Sequence, residues 1–141
     1  MKKINVRSKV KYAGIEDGKV TLTLYLTPEQ ENALDRVYEE VDTEGCESTP
    51  TKVDKDGNLY FKVTSRYAVK VYENGKESDF ISFDDIGPKS EVVANVSIGI
   101  SKYRGRSFLV AYLSAVNIID MVWKKTIQSV SFNPFDGSDS I

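Results

Sequence analysis

Apolar residues in this chain recur at every second position in segment after segment, and at helical spacing only once. That pattern restricts the fold to a mainly β domain carrying a single helix. Ile4, Val6, Val10 and Tyr12 alternate with Asn5, Arg7, Lys9 and Lys11, which predicts a half-buried strand with a basic outer face. The stretch Gly14-Ile15-Glu16-Asp17-Gly18 reads as a turn. Val20, Leu22, Leu24 and Leu26 then point inward from a second strand.

The helix announces itself at Thr27-Pro28-Glu29-Gln30. Thr27 is placed to cap the helix, Pro28 fits the first helical position, and Gln30 completes a capping box. Glu29 and Glu31 suit the positive end of the helix dipole. Ala33, Leu34, Val37, Tyr38 and Val41 form one stripe, expected to pack on the core, and the helix is expected to end near Asp42. Residues 43–57 are polar and read as a loop closed by Asp56-Gly57. Alternation resumes over residues 59–71, with Leu59, Phe61, Val63, Tyr67, Val69 and Val71 on one face. Tyr60, Lys62, Thr64, Arg66, Lys70 and Tyr72 take the other. Glu73-Asn74-Gly75-Lys76 is a hairpin turn signal. A short strand is expected near residues 80–83, then a turn over residues 84–90. Long strands follow over residues 92–102 and 108–119, joined by a basic loop at Arg104-Gly105-Arg106. Beyond Trp123 the pattern weakens, and residues 132–141 read as a flexible tail. No βαβ rhythm appears. The expected architecture is an OB-type antiparallel β-barrel with one α-helix inserted after the second strand, in a domain spanning residues 1–131.

The residue inventory narrows the function. The 141 residues include no histidine, which removes His-based triads, His metal sites and the usual general base near neutral pH. The one cysteine, Cys46, cannot build a Cys-rich zinc site or an internal disulfide. No acidic motif has the spacing of a recognised catalytic site, so a binding protein without cofactor or metal is expected rather than an enzyme. No apolar run spans a membrane and no secretory signal is visible, so a cytoplasmic location is expected.

Charge is segregated. The net charge of −2 divides into +4 over residues 1–27, −7 over residues 28–48, +3 over residues 49–132 and −2 over the last nine residues. An anion-binding face on an acidic protein follows where the local field, rather than the overall charge, decides. Three basic clusters are candidates. The outer face of residues 59–72 interleaves Tyr60, Lys62, Arg66, Lys70 and Tyr72, the mixture single-stranded nucleic acid requires, with cations on phosphates and rings on bases. The same residues also suit any exposed strand face. Lys102, Tyr103, Arg104, Arg106 and Phe108 crowd a hairpin tip. Arg7, Lys9 and Lys11 extend an electrostatic track or protect a sheet edge. The acidic helix region should lie away from whatever binds anions. In the tail, Phe135 and Asp136 are the candidate partner-binding residues.

The order of these pieces resembles the bacteriophage single-stranded-DNA-binding proteins of the OB-fold type encoded by T-odd podoviruses and related phages. The resemblance runs over roughly residues 18–120. It reads Gly18-Lys19-Val20-Thr21-Leu22-Thr23-Leu24, an acidic helix after Pro28, and Asp56-Gly57-Asn58-Leu59-Tyr60-Phe61-Lys62-Val63. It continues through Val71-Tyr72-Glu73-Asn74-Gly75-Lys76, Ile86-Gly87-Pro88-Lys89-Ser90, a long strand ending in Tyr103, and Val110-Ala111-Tyr112-Leu113-Ser114-Ala115-Val116. It implies sequence-independent binding of single-stranded DNA in phage replication or recombination. It places the groove at Tyr60, Lys62, Tyr103 and Arg104, with Arg106 and Phe108 as neighbours. It also implies that the tail contacts replication or recombination proteins; a homodimer is a further expected partner state. The alternative is a phage structural or assembly protein, such as a tail, head-completion or adaptor barrel, self-associating through a sheet edge.

Overall fold

The structure, a computed structural model, describes residues 1–124. Eight strands and one helix follow in the order β1 (Lys2–Glu16), β2 (Lys19–Tyr25), α1 (Pro28–Val41), β3 (Thr51–Val53), β4 (Leu59–Ser65), β5 (Lys70–Glu73), β6 (Lys76–Glu77), β7 (Glu91–Tyr103) and β8 (Arg106–Asp120). A single 3-10 turn, Phe83–Asp85, precedes β7.

The barrel closes because β1 serves two partners. Its first half pairs with β7, from Lys2 opposite Ile98 to Lys9 opposite Glu91, and its second half pairs with β2, from Val10 opposite Leu24 to Glu16 opposite Lys19. Between Val10 and Tyr12 the register slips by one residue, a β-bulge that bends the strand. β2 pairs with β4, β7 with β8, and one parallel pair, Thr64 opposite Tyr112, joins β4 to β8 and completes the ring β1-β2-β4-β8-β7. The short strands β3, β5 and β6 extend this ring at its margins.

Inward-facing residues fill the barrel. Leu22, Leu24, Phe61, Val63, Val92, Val96, Ile98, Val116 and Ile118 are essentially inaccessible to solvent. α1 has the expected capping box, with the Gln30 amide donating to Thr27 Oγ1 and the Thr27 amide donating to Gln30 Oε1. It buries Leu34 and Tyr38, while Val37 and Val41 are half-buried and Ala33 stays exposed. Burial pushes the Tyr38 phenol up to about 12, against the opposing hydrogen bond with Thr51 Oγ1 at 2.6 Å. Three two-residue hairpin turns, at Asp17-Gly18, Asn74-Gly75 and Arg104-Gly105, have positive φ at both positions, the geometry that matches the twist of the flanking strands.

Four local expectations are corrected. Tyr12 points outward at 40% exposure, because the bulge reverses the phase of β1 and Ala13 takes the buried position. The alternating segment over residues 59–71 is two strands. It breaks where the buried Ser65 hydroxyl accepts from the Tyr67 amide and donates to the Tyr67 carbonyl, closing a turn that leaves Tyr67 outside. The loop over residues 43–57 contains β3. Residues 80–83 form no strand; the Ser82 side chain caps the 3-10 turn instead. The boundary at residue 131 and the tail, with Phe135 and Asp136, lie outside the described residues.

Candidate nucleic-acid interface

The outer face of β2 and β4 carries both rings and cations outside the core. Cross-strand register sets Tyr25 opposite Tyr60, Thr23 opposite Lys62 and Thr21 opposite Thr64, and β3 adds Lys52 opposite Tyr60. Directly opposed residues on one face lie within side-chain reach of each other. Because of the bulge, Lys11 turns toward this face, its Nζ 5.9 Å from the Tyr25 ring centre and 5.5 Å from that of Tyr60. Lys11 also sits 3.6 Å from Asp54. The Asp54 carboxyl is held below its ordinary range by the backbone amides of Asn58 and Asp56, with Lys11 adding to the effect.

Two depressions run along this face. One, of about 590 Å³, is bordered by Lys19, Thr21, Lys62 and Arg66 together with Glu16 and Asp17. The other, of about 230 Å³, is bordered by Lys52, Lys62, Thr64 and Phe108. Lys19, Lys52, Lys62 and Arg66 enter none of the ion pairs formed among the described residues. Their charge is therefore uncompensated at contact distance, the condition under which a cation is free to meet a phosphate.

The β7–β8 hairpin adjoins this face through Phe108. At its tip the Arg104 guanidinium lies 5.1 Å from the Tyr103 ring centre, and Tyr103 is largely exposed. The other two cations are engaged: Lys102 meets Glu44 at 2.9 Å and Arg106 meets Glu47 at 2.8 Å. The acidic region was expected to keep away from the basic clusters, and its last part does not. The Glu47 amide donates to the Ser107 carbonyl and the Leu109 amide to the Ser48 carbonyl, so backbone pairing seats residues 47–48 beside β8. Asp42 stiffens the approach by accepting from the amides of Cys46 and Glu44, bonds that hold its carboxyl below the ordinary range.

The structure thus brings together Lys11, Tyr60, Lys62, Arg66 and Phe108, with Lys102, Tyr103, Arg104 and Arg106 at the adjoining tip. It does not bring Arg7 or Tyr72 to them, and Lys9 stands between Ser8, whose hydroxyl donates to the Tyr25 carbonyl, and Lys11. Arg7 and Lys9 lie on the half of β1 that pairs with β7, where Arg7 Nε meets Glu91 at 2.7 Å and the Arg7 carbonyl accepts from Gln30 of α1. Tyr72, on β5, faces Asn5, Val93, Asn95 and Asn117. Sequence reasoning missed Lys19, Tyr25 and Lys52. Lys19 and Tyr25 were legible as the outward positions of β2, whereas Lys52 sat in a stretch without alternation. Among the described residues no group of three or more acidic, Cys or His side chains is placed to hold a metal ion, and no helix is long and apolar enough to cross a membrane.

A scan against protein-family models finds no match, and neither does a search of curated proteins. Solved structures do match. The single-stranded DNA-binding protein of bacteriophage Enc34 aligns with TM-score 0.64 at 13% identity, covering 97% of this chain and 90% of that one. The same protein in complex with single-stranded DNA aligns at 0.63 and 13% identity over 89% of each chain. Bacteriophage T7 gp2.5, also a single-stranded DNA-binding protein, aligns at 0.62 and 16% identity, covering 94% of this chain and 99% of that one. The barrel is an OB fold. In barrels of this kind, one strand face and its bordering loops engage oligonucleotides.

Proposed function

We propose that this protein binds single-stranded DNA independently of sequence during phage DNA replication or recombination. The observation that carries the reading is the joint placement on one barrel face of Tyr25, Tyr60, Lys11 and of Lys19, Lys52, Lys62 and Arg66, which enter no ion pair among the described residues. The likeness in fold to phage proteins described as binding single-stranded DNA supports it. Lysines and arginines displace counterions from phosphates, and the tyrosines offer stacking surfaces to unpaired bases. Stacking accepts every base, so no sequence is preferred, and the protein acts by binding rather than by catalysis. Under the same reading the protein works in the host cytoplasm, where replication exposes single strands. Phe135 and Asp136 then meet replication or recombination proteins, and two copies pair.

The test is fluorescence anisotropy of a labelled ~30-nucleotide poly-dT at low and moderate salt, with duplex DNA as competitor. Binding that weakens linearly in log salt, by about 0.7 per phosphate contact, and that resists duplex is expected. No binding at low salt refutes the reading.

A further inference from the structure

The seam between β4 and β8 consists of one parallel pair, Thr64 opposite Tyr112, and beside it opens a crevice of about 560 Å³. Tyr67 and Tyr112 both border it, with Arg66, Lys19, Ser65 and Ser101. Tyr67 is 83% exposed and Tyr112 40% exposed. Single exposed rings are ordinary, but two on one crevice flanked by two cations are a different arrangement. The Tyr67 backbone is also fixed in advance: Ser65 Oγ binds both its amide and its carbonyl, at 3.0 and 2.9 Å. A ring held outward on a fixed backbone loses little freedom when something stacks on it. Arg66 and Lys19 enter no ion pair among the described residues.

We propose that this crevice is a nucleobase subsite, in which an unstacked base of the bound strand lies against Tyr67 and Tyr112 while its phosphate meets Arg66 and Lys19. Resting on the single-strand reading above, it adds a position where a base leaves the stack. Aromatic faces and cations bordering one crevice fit a base with its phosphate; a peptide would ask for a groove with backbone partners.

The experiment measures full-length wild type, Tyr67→Ala, Tyr112→Ala and Tyr67→Phe against a ~30-nucleotide poly-dT and against the same strand made abasic. Unchanged thermal unfolding checks the fold of each variant. Each alanine variant should bind poly-dT about tenfold more weakly, while Tyr67→Phe keeps wild-type affinity. On the abasic strand the variants should match wild type, since no base remains to stack. Alanine variants within twofold of wild type on poly-dT overturn the subsite. So does a penalty that persists on the abasic strand, which would put backbone rather than a base in the crevice. A wild type that binds no strand overturns the functional reading itself, a result distinct from either.

Discussion

Two basic regions of this molecule carry cations of similar number and different availability. On the β2–β4 face, Lys19, Lys52, Lys62 and Arg66 stand without carboxylate partners among the described residues, beside tyrosines set opposite one another by strand register. At the β7–β8 tip, Lys102 and Arg106 are held by Glu44 and Glu47, leaving Arg104 with Tyr103. Cation counts along the sequence make the tip the richer site; pairing in space makes the face the stronger one. An exposed ion pair contributes about 1 kcal/mol or less, so the tip cations are restrained rather than removed. DNA reaching Lys102 or Arg106 must exchange a carboxylate for a phosphate, whereas on the face it meets cations with no carboxylate partner among the described residues.

The largest effect should therefore come from the face. Lys62→Ala with Arg66→Ala should weaken single-strand binding roughly tenfold to a hundredfold at low salt and reduce the salt slope by about 1.4, two phosphate contacts' worth. A slope that does not move would take both residues off the DNA path and break the comparison. Next come the rings: Tyr60→Ala and Tyr103→Ala should each cost about 1–3 kcal/mol of binding with the fold intact. Equal losses would show that strand DNA runs from face to tip. A loss confined to Tyr60, read by the same titration, would end the site before the hairpin.

A smaller and more discriminating change acts on the tip alone. Glu44→Gln with Glu47→Gln releases Lys102 and Arg106 without adding a cation. Affinity at low salt should rise about two- to fivefold, and the gain should fade as salt screens the pairs. Arg104→Ala, by contrast, should lower the salt slope by about 0.7. Should the double glutamine variant bind like wild type, the acidic segment does not compete with DNA, and the contrast between the regions loses its electrostatic basis.

Much of the frame was legible in the sequence, because its signals are local. The Thr27-Pro28-Gln30 cap, the alternation of β2, β7 and β8, and the turn at Asn74-Gly75 each depend on residues a few positions apart. What escaped notice is set by distant partners or by a single hydroxyl. The bulge at Lys11 arises where β1 changes partner from β7 to β2, and Val10-Lys11-Tyr12 keeps its alternation through it. The break between β4 and β5 hangs on Ser65, while the polar–apolar rhythm runs on past it. β3 is three residues long, too short for a periodic signal. The same limit governs the site. The face was half legible from Tyr60, Lys62 and Arg66. The removal of Arg7 to Glu91, 84 positions away, and the seating of Glu44 and Glu47 on the hairpin are facts of packing.

The smallest effect on binding belongs to the helix, and it separates stability from function. Tyr38 Oη bonds Thr51 Oγ1 at 2.6 Å, tying α1 to β3 on either side of the acidic segment that reaches the hairpin. The phenol is pushed up to about 12 by burial and sits near 10 in the unfolded chain. A raised pKa favours the protonated folded state, so this contribution is complete below pH 10 and is lost as pH climbs through about 12. It amounts to something on the order of 2–3 kcal/mol. Denaturant titrations between pH 9 and pH 12 should show wild type losing stability more steeply than Tyr38→Phe. At pH 7.5 both should bind poly-dT alike, because the phenol faces the core rather than the strand. A Tyr38→Phe variant that binds differently at pH 7.5 would mean that the tie between α1 and β3 positions Glu44 and Glu47 against the hairpin. The tip's restraint would then be set by the helix as well as by its own ion pairs.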